Sequence, residues 1–373
     1  MSNLPYSSSL PVDNLSAVFQ NTTNSYKFYW FLSILEHVQL HQTSVIPINM
    51  LKSRMIASIW YPALYFQLSF GKQDQLVRVA QMLNRSLEET DNIQYDYLIA
   101  KSDDIRKESP DFAKAFHSLG RYVPYRFLEP FFRATIRGAK DSKKDKRIIE
   151  LASKSFISSA TPCLYRFTSN DTELEIHPDW YHYLQLHLTI LKDYCLWNLL
   201  NYLQKHNPNV PNIAGKLFLP KSRNLENARK YWRHVLEHSQ EVRCIYSNEL
   251  ISRQNLSLDH FLPWRYVTHD LLWNITPTVK LVNSSKGDQL PDIKAYFNTF
   301  AAIQRKALRT IENSRFVNAR LIEDYIILFG CENYAQLMTI SSSNFQDKLY
   351  ETIAPQFQIA HNMGFAGNWI YSP

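Results

Sequence analysis

Glycine and cysteine are both scarce in this sequence. Only 8 of the 373 residues are glycine, which argues against glycine-rich cofactor folds and all-β sandwiches and favours helices. The 4 cysteines lie at positions 163, 195, 244 and 331, and no two of them have Cys-x-x-Cys spacing. The sequence therefore indicates neither a disulfide framework nor a cysteine-rich zinc site. It also lacks a Walker loop, a Gly-x-Ser-x-Gly motif and a dinucleotide fingerprint.

A secretion signal and a long apolar run are missing as well. The opening stretch, MSNLPYSSSLP, has no cationic segment that leads into an apolar run. The longest uncharged run covers residues 55–71 and contains Pro62. It is short for a membrane span, and a buried core helix is the better interpretation. We therefore expect a soluble protein in a reducing cytoplasm.

What is present is a globular composition with a basic balance. Hydrophobic residues make up 45% of the chain and charged residues 20%, with a formal net charge of +7. This charge permits a polyanionic partner without requiring one. Residues 162–177 alternate around a Ser-Asn-Asp turn and predict a hairpin, and residues 179–205 predict one long helix. Three prolines and a glycine in residues 206–220 then indicate a boundary.

The stretch LDHFLPW, residues 258–264, sets an acidic residue and a histidine among apolar neighbours. Burying an unpaired carboxylate costs several kcal/mol, so the pair must be ion-paired, solvated in a cleft or bound to something. Around it, VRCIYS and LSLDHF suit two strands. Residues 276–287 predict a helix with Thr276 at the N-cap and Pro277 at the first position. The predicted order is strand, strand, helix.

Asp259, His260 and Asn283 stand at chemically useful places in this segment. A carboxylate and an amide oxygen are hard ligands that suit Mg²⁺ or Mn²⁺. A neutral imidazole beside such a metal is able to take a proton from water. Together these groups are the set needed for phosphodiester hydrolysis.

The spacing of the polar residues resembles a known nuclease module. Asp259-His260 is followed after thirteen residues by Asn274 and after eight more by Asn283, and VNSSKGDQLP closes the segment. This arrangement resembles the HNH endonucleases (the ββα-metal or His-Me finger class), in particular the HNH domains of RNA-guided CRISPR nucleases. The resemblance covers about fifty residues, and the rest of the chain shows no such pattern.

The resemblance implies a role for each residue of the motif. Asp259 and Asn283 are the implied ligands of Mg²⁺ or Mn²⁺, and His260 is the implied general base. Asn274 would hold the loop by hydrogen bonds and so orient His260. Lys286 follows Asn283 by three residues, and we expect it to meet a phosphate. Many HNH modules carry a zinc knuckle, but Ser247 stands where a second cysteine would follow Cys244, so no structural zinc is expected.

On this basis we predict a mostly α protein with a small α+β insert. Residues 1–215 form a helical region for target or partner recognition, residues 216–300 the HNH module with its entry helix, and residues 301–373 a helical C-terminal segment. DNA is the favoured substrate, with RNA still open, and bacterial restriction or anti-phage defence is the implied setting. Phosphate contacts are expected from the basic side chains that flank the module: Arg223, Arg229, Lys230, Arg233, Arg305 and Arg309.

Other interpretations remain open at this point. The chain could be a nucleic-acid-binding or complex-forming protein with an auxiliary HNH module. HVLEH, residues 234–238, matches a zinc-peptidase pattern through His234, Glu237 and His238, but it lacks a third ligand that can be placed. Thr268-His269-Asp270 repeats a histidine beside an aspartate, and a role in a turn is favoured for it.

Overall fold

A computed structural model of the chain describes residues 4–87, 93–158, 161–168, 171–218, 223–314 and 319–373. The chain divides into two compact units, Met1–Pro208 and Asn209–Pro373. The predicted class, mostly α with a small α+β insert, is confirmed. The division predicted at residues 215 and 300 stays a prediction. Among the described residues, every helix is too short or too polar to serve as a membrane span.

The first unit is built from helices and one small antiparallel sheet. Its described helices are α1 Val12–Ser16, α2 Tyr26–Leu40, α3 Ile48–Trp60, α4 Leu76–Arg85, α5 Tyr95–Glu108, α6 Pro110–Leu119, α7 Val123–Arg126, α8 Arg133–Ile136, α9 Asp141–Ser158, α10 Pro178–Leu186 and α11 Leu188–His206. Its strands are β1 Val45–Pro47, β2 Tyr165–Phe167 and β3 Glu173–Ile176, in the order β1-β3-β2.

Two predictions for the first unit have different outcomes. The hairpin predicted at residues 162–177 is confirmed, because β2 pairs with β3 antiparallel; Ser169 and Asn170 of its turn lie outside the described residues. The single helix predicted over residues 179–205 is wrong. It is two helices, because His187 adopts a non-helical backbone conformation (φ −110°, ψ 20°) between α10 and α11.

The second unit places a two-stranded sheet among helices. Its described helices are α12 Glu226–His238, α13 Trp264–Val267, α14 Lys280–Lys286, α15 Ile293–Asn313, α16 Ala319–Phe329, α17 Tyr334–Thr339 and α18 Ser342–Met363. Its strands are β4 Leu256–His260 and β5 Ile275–Val279, and α14 follows β5 directly. The local order is therefore strand, strand, helix.

Of the two strands that the sequence predicts here, LSLDHF is confirmed, because it contains β4, whereas VRCIYS is not its partner. β4 pairs with β5 in antiparallel register, with Asp259 opposite Thr276. Thr276 and Pro277 therefore lie in a strand, and the predicted helix begins only at Lys280. Pro277 lacks a backbone N–H, which an edge strand tolerates, and both strands of a two-stranded sheet are edges. The predicted first strand, VRCIYS, is instead a turn, flanked by an isolated bridge between Arg243 and Leu250.

Buried aromatic packing and the C-terminal segment hold this small sheet in place. The ring of Phe261, the residue after β4, stacks on Phe300 of α15 with centroids 4.1 Å apart. Near the C-terminus, the Trp369 N–H donates to the Leu290 carbonyl and the Asp292 N–H donates to the Trp369 carbonyl. The segment after α14 is thus tied to residues that come almost eighty positions later.

Candidate active site

Asp259 is a buried carboxylate at the end of β4, with 4% of its surface exposed. Its Oδ1 lies 3.0 Å from the Lys286 ammonium of α14. Its Oδ2 accepts a hydrogen bond of 2.6 Å from the Tyr246 hydroxyl. A buried carboxylate is tolerated when a cation and hydrogen-bond donors compensate it. Both oxygens are therefore held in fixed directions.

Lys286 has a different position from the one that the sequence suggests. Its side chain is fully buried. Besides the contact with Asp259, its Nζ donates to the His260 carbonyl at 2.7 Å. It therefore lies beneath the site and not on a surface where it would meet a phosphate. Its position fixes the backbone of His260 relative to the Asp259 carboxylate.

Tyr246 is kept as a hydrogen-bond donor by its surroundings. Burial, followed by the charge of Asp259, raises the pKa of this phenol well above its ordinary value. The hydroxyl therefore stays protonated and donates a hydrogen bond to the Asp259 carboxylate. Its ring packs edge-on against Trp369, with centroids 5.2 Å apart.

In the part of the chain that the structure describes, Asn283 on α14 has its side-chain nitrogen hydrogen-bonded and its side-chain oxygen unbonded. Its amide nitrogen donates to the Ser257 hydroxyl at 2.9 Å and to the Leu258 carbonyl at 3.0 Å. Both amide protons are thus bound to β4, just before Asp259. Within the described ranges the Asn283 Oδ1 accepts no hydrogen bond, so this carbonyl oxygen is available as a ligand.

Asn274 closes the long loop between the two strands. It is fully buried, its Oδ1 accepts from the Leu262 N–H at 2.8 Å, and its Nδ2 donates to the Leu262 carbonyl at 2.9 Å. The Phe261 N–H also donates to the Asn274 carbonyl. Three hydrogen bonds therefore fix the two residues that follow His260.

His260 contacts an aspartate that the sequence analysis did not assign to the site. Its Nε2 lies 2.9 Å from Asp270 Oδ1, and its side chain is 7% exposed. Because an ionised carboxylate only accepts, Nε2 carries the proton of a neutral ring and Nδ1 is the basic nitrogen. The repeated His-Asp pair at residues 269–270 was the available signal, but the sequence does not indicate that its carboxylate reaches back across ten residues.

Two groups at the loop that carries Asp270 have shifted pKa values: His269, which lies in the loop, and Lys216, which contacts the loop at Thr268. Burial, and then the charges of His260 and Lys216, lower the pKa of His269 to about 4, so it stays neutral. Burial also lowers the pKa of Lys216 to about 7. The Lys216 ammonium donates to the Pro211 carbonyl and, at 3.0 Å, to the Thr268 hydroxyl. Within the described residues, no carboxylate pairs with it.

We expect stability to rise with pH through Lys216. Its folded pKa of about 7 lies below the ordinary value of 10.5, so between these values the unfolded chain binds a proton that the folded chain does not. The unfolding free energy of wild type relative to Lys216→Met should rise by about 2 kcal/mol between pH of about 7.5 and 9. Urea denaturation at both pH values measures this difference. A difference that stays constant, or that is matched by the exposed control Lys294→Met, would contradict it.

The predicted phosphate-binding side chains divide into two groups. Arg305 is buried and donates to the carbonyls of Leu337, Met338 and Ile340 at the end of α17, so it is unavailable to a ligand in this structure. The other five are exposed: Arg223, which lies over the Trp264 ring, Arg229 and Arg233, Lys230, which pairs with Glu226, and Arg309, which pairs with Glu312.

The HVLEH residues come together on α12. One ligand atom from each of His234, Glu237 and His238 lies within 4.8 Å of the others. However, the His234 Nε2 already contacts the Ser314 hydroxyl at 2.7 Å, and Glu237 pairs with Arg253. These contacts compete with a metal, and we do not propose the peptidase further.

Comparison with known proteins agrees with the arrangement around β4, β5 and α14. Residues 244–292 match the family model described as HNH endonuclease. This range contains Asp259, His260, Asp270, Asn274, Asn283 and Lys286. No curated protein and no solved structure matches the chain.

Proposed function

We propose, on the premise that residues 244–292 are an HNH endonuclease module, that this chain is a divalent-metal-dependent endonuclease that hydrolyses DNA. The observation that carries the proposal is one hairpin and one helix that bring together a buried carboxylate, an imidazole and an amide oxygen. Asp259 and His260 end β4, and Asn283 of α14 is hydrogen-bonded to that same strand. This is the donor and base set that metal-assisted phosphodiester hydrolysis needs.

The residues at the site suit Mg²⁺ or Mn²⁺. Asp259 and the Asn283 Oδ1 would hold the ion, because both are hard oxygen donors and the Asn283 amide protons are already bound elsewhere. When bound, the ion supplies positive charge for the phosphate oxygens and the leaving group. Lys286 keeps the Asp259 carboxylate compensated, and Tyr246 holds its second oxygen.

His260 provides the base for the attacking water. Its Nε2 is bound to Asp270, so the proton of the water would pass to Nδ1. Lys286 donates to the His260 carbonyl and Asn274 accepts from the Leu262 N–H, so both hold the backbone that follows the ring. A base that is fixed in this way loses little free energy to reorganisation in the transition state.

The basic side chains outside the catalytic set would contact the nucleic acid. Arg223, Arg229, Lys230, Arg233 and Arg309 are exposed in the same unit as the module, and such cations neutralise phosphates without reading sequence. We propose further that residues 1–215 choose the target or a protein partner, and that the chain acts in the cytoplasm in bacterial restriction or anti-phage defence.

Cleavage of supercoiled plasmid DNA tests the function. We expect nicking with Mg²⁺ or Mn²⁺ and none with a chelator. At a fixed metal concentration Asn283→Ala should cut more slowly than wild type, by up to about 100-fold, because a metal ligand is lost. The exposed control Asn227→Ala should cut like wild type. Wild-type protein that binds DNA in a salt-dependent way but never cuts would favour the nucleic-acid-binding alternative.

A further inference from the structure

The loop after α13 delivers an acidic side chain to the catalytic histidine. Asp270 Oδ1 lies 2.9 Å from His260 Nε2, and 23% of the Asp270 side chain is exposed. We propose that Asp270 is a positioning residue that holds the His260 ring with Nε2–H toward the carboxylate and Nδ1 toward the reacting water. This inference rests on the proposed function.

The contact itself fixes both the rotation and the tautomer of the ring. A histidine side chain that ends a strand has two ring nitrogens that could face the reaction. A carboxylate on one nitrogen selects the tautomer with its proton there and leaves the other nitrogen basic. It also stabilises the imidazolium that forms when the ring accepts a proton. Asp270 is the described carboxylate that pairs with the His260 ring.

Backbone strain beside Asp270 indicates that its loop is held in place. Thr268 ends α13 in the left-handed region, with φ of +51° and ψ of +39°. A β-branched residue is costly there and persists only when its surroundings determine the conformation. Two such restraints are present: Asn212 Nδ2 donates to the Thr268 carbonyl at 2.9 Å, and Lys216 donates to the Thr268 hydroxyl at 3.0 Å.

The other side of Asp270 is restrained as well. The Leu272 N–H donates to the Asp324 carboxylate of α16 at 2.8 Å. Asn212, Lys216 and Asp324 all lie outside residues 244–292, which match the nuclease family. The parts of the unit that surround the module therefore set the position of Asp270, and through it the position of the His260 ring.

Activity measurements give the first readout. Asp270→Ala should lower kcat by about 10- to 100-fold, with KM changed by less than about twofold. Added formate, a small carboxylate, should restore part of the rate to Asp270→Ala, and it should leave wild type unchanged. Asp270→Asn, which keeps the size but not the charge, should stay slow. Asp347→Ala, which removes an exposed carboxylate of α18 in the same unit, is the control and should cut like wild type.

A second readout does not depend on cleavage. In protein with ¹⁵N-labelled histidine, NMR reports which nitrogen of His260 carries the proton, with the signal assigned by its loss in His260→Ala. We expect the Nε2–H tautomer in wild type and a mixture in Asp270→Ala. An Nδ1–H ring in wild type, or the same tautomer in Asp270→Ala, overturns the positioning role even if cleavage falls. If wild type cuts no DNA while the tautomer follows Asp270, the nuclease proposal fails and the Asp270 contact stands.

Discussion

The His260→Ala variant should cleave plasmid DNA about 10²- to 10⁴-fold more slowly than wild type, because the group that takes the proton from water is removed. The loss should appear in kcat, since the His260 Nε2 contacts Asp270 and we propose that Nδ1 takes the proton of the attacking water. Affinity for DNA should be unchanged, because we propose that exposed arginine and lysine residues elsewhere provide the phosphate contacts.

The controls for this result separate chemistry from folding. His238→Ala removes an exposed histidine of α12 in the same unit and should cut like wild type. Thermal denaturation and DNA binding at two salt concentrations should be alike for both variants and wild type. A His260→Ala protein that is folded and still cuts at the wild-type rate would show that another group is the base.

Replacing Lys286 by Met should lower the free energy of unfolding by about 3–5 kcal/mol, because Asp259 would remain buried without its cation. The lysine is fully buried and also donates to the His260 carbonyl, so cleavage should fall too. A divalent cation offers a replacement charge at Asp259. Mg²⁺ should therefore stabilise Lys286→Met more than it stabilises wild type. Urea denaturation with Mg²⁺ and with a chelator measures both effects.

Two further variants show whether the ion pair is responsible. Lys280→Met changes an exposed lysine at the start of the same helix and should change stability by less than about 0.5 kcal/mol. In the double variant Asp259→Asn/Lys286→Met no buried charge is left alone, so it should be more stable than Lys286→Met. Equal stabilities for the double and the single variant would mean that packing, and not the charge of Asp259, makes Lys286 necessary.

The spacing of the motif predicted the core of the site, while the type of the elements around it was harder to predict. Asp259, His260 and Asn283 do come together on one hairpin and helix. Thr276-Pro277, however, suggests the start of a helix from local preferences alone. In the structure these residues pair with β4, and tertiary pairing outweighs the local preference.

The contacts that a loop makes when it folds back on the site could not be predicted from the sequence. The residues between His260 and Asp270 do not indicate that the loop folds back and brings the Asp270 carboxylate to the His260 ring. The burial of Lys286 could not be predicted either, since a lysine late in a helix is ordinarily exposed. Two acceptors on the facing strand, the Asp259 carboxylate and the His260 carbonyl, hold it inward. Arg305 likewise points inward because the carbonyls that end α17 accept from it.

The pairing of Trp369 with Leu290 and Asp292 has a consequence for the order in which this unit folds during synthesis. Tyr246, which holds the Asp259 carboxylate, packs against the Trp369 ring. During translation the strands and α14 emerge from the ribosome well before residue 369. A nascent chain can therefore form the hairpin early, but the support behind Tyr246 arrives only when Trp369 has emerged. The Asp259 carboxylate acquires its final surroundings late in synthesis, and a ribosome-bound chain would carry an incompletely packed site until then.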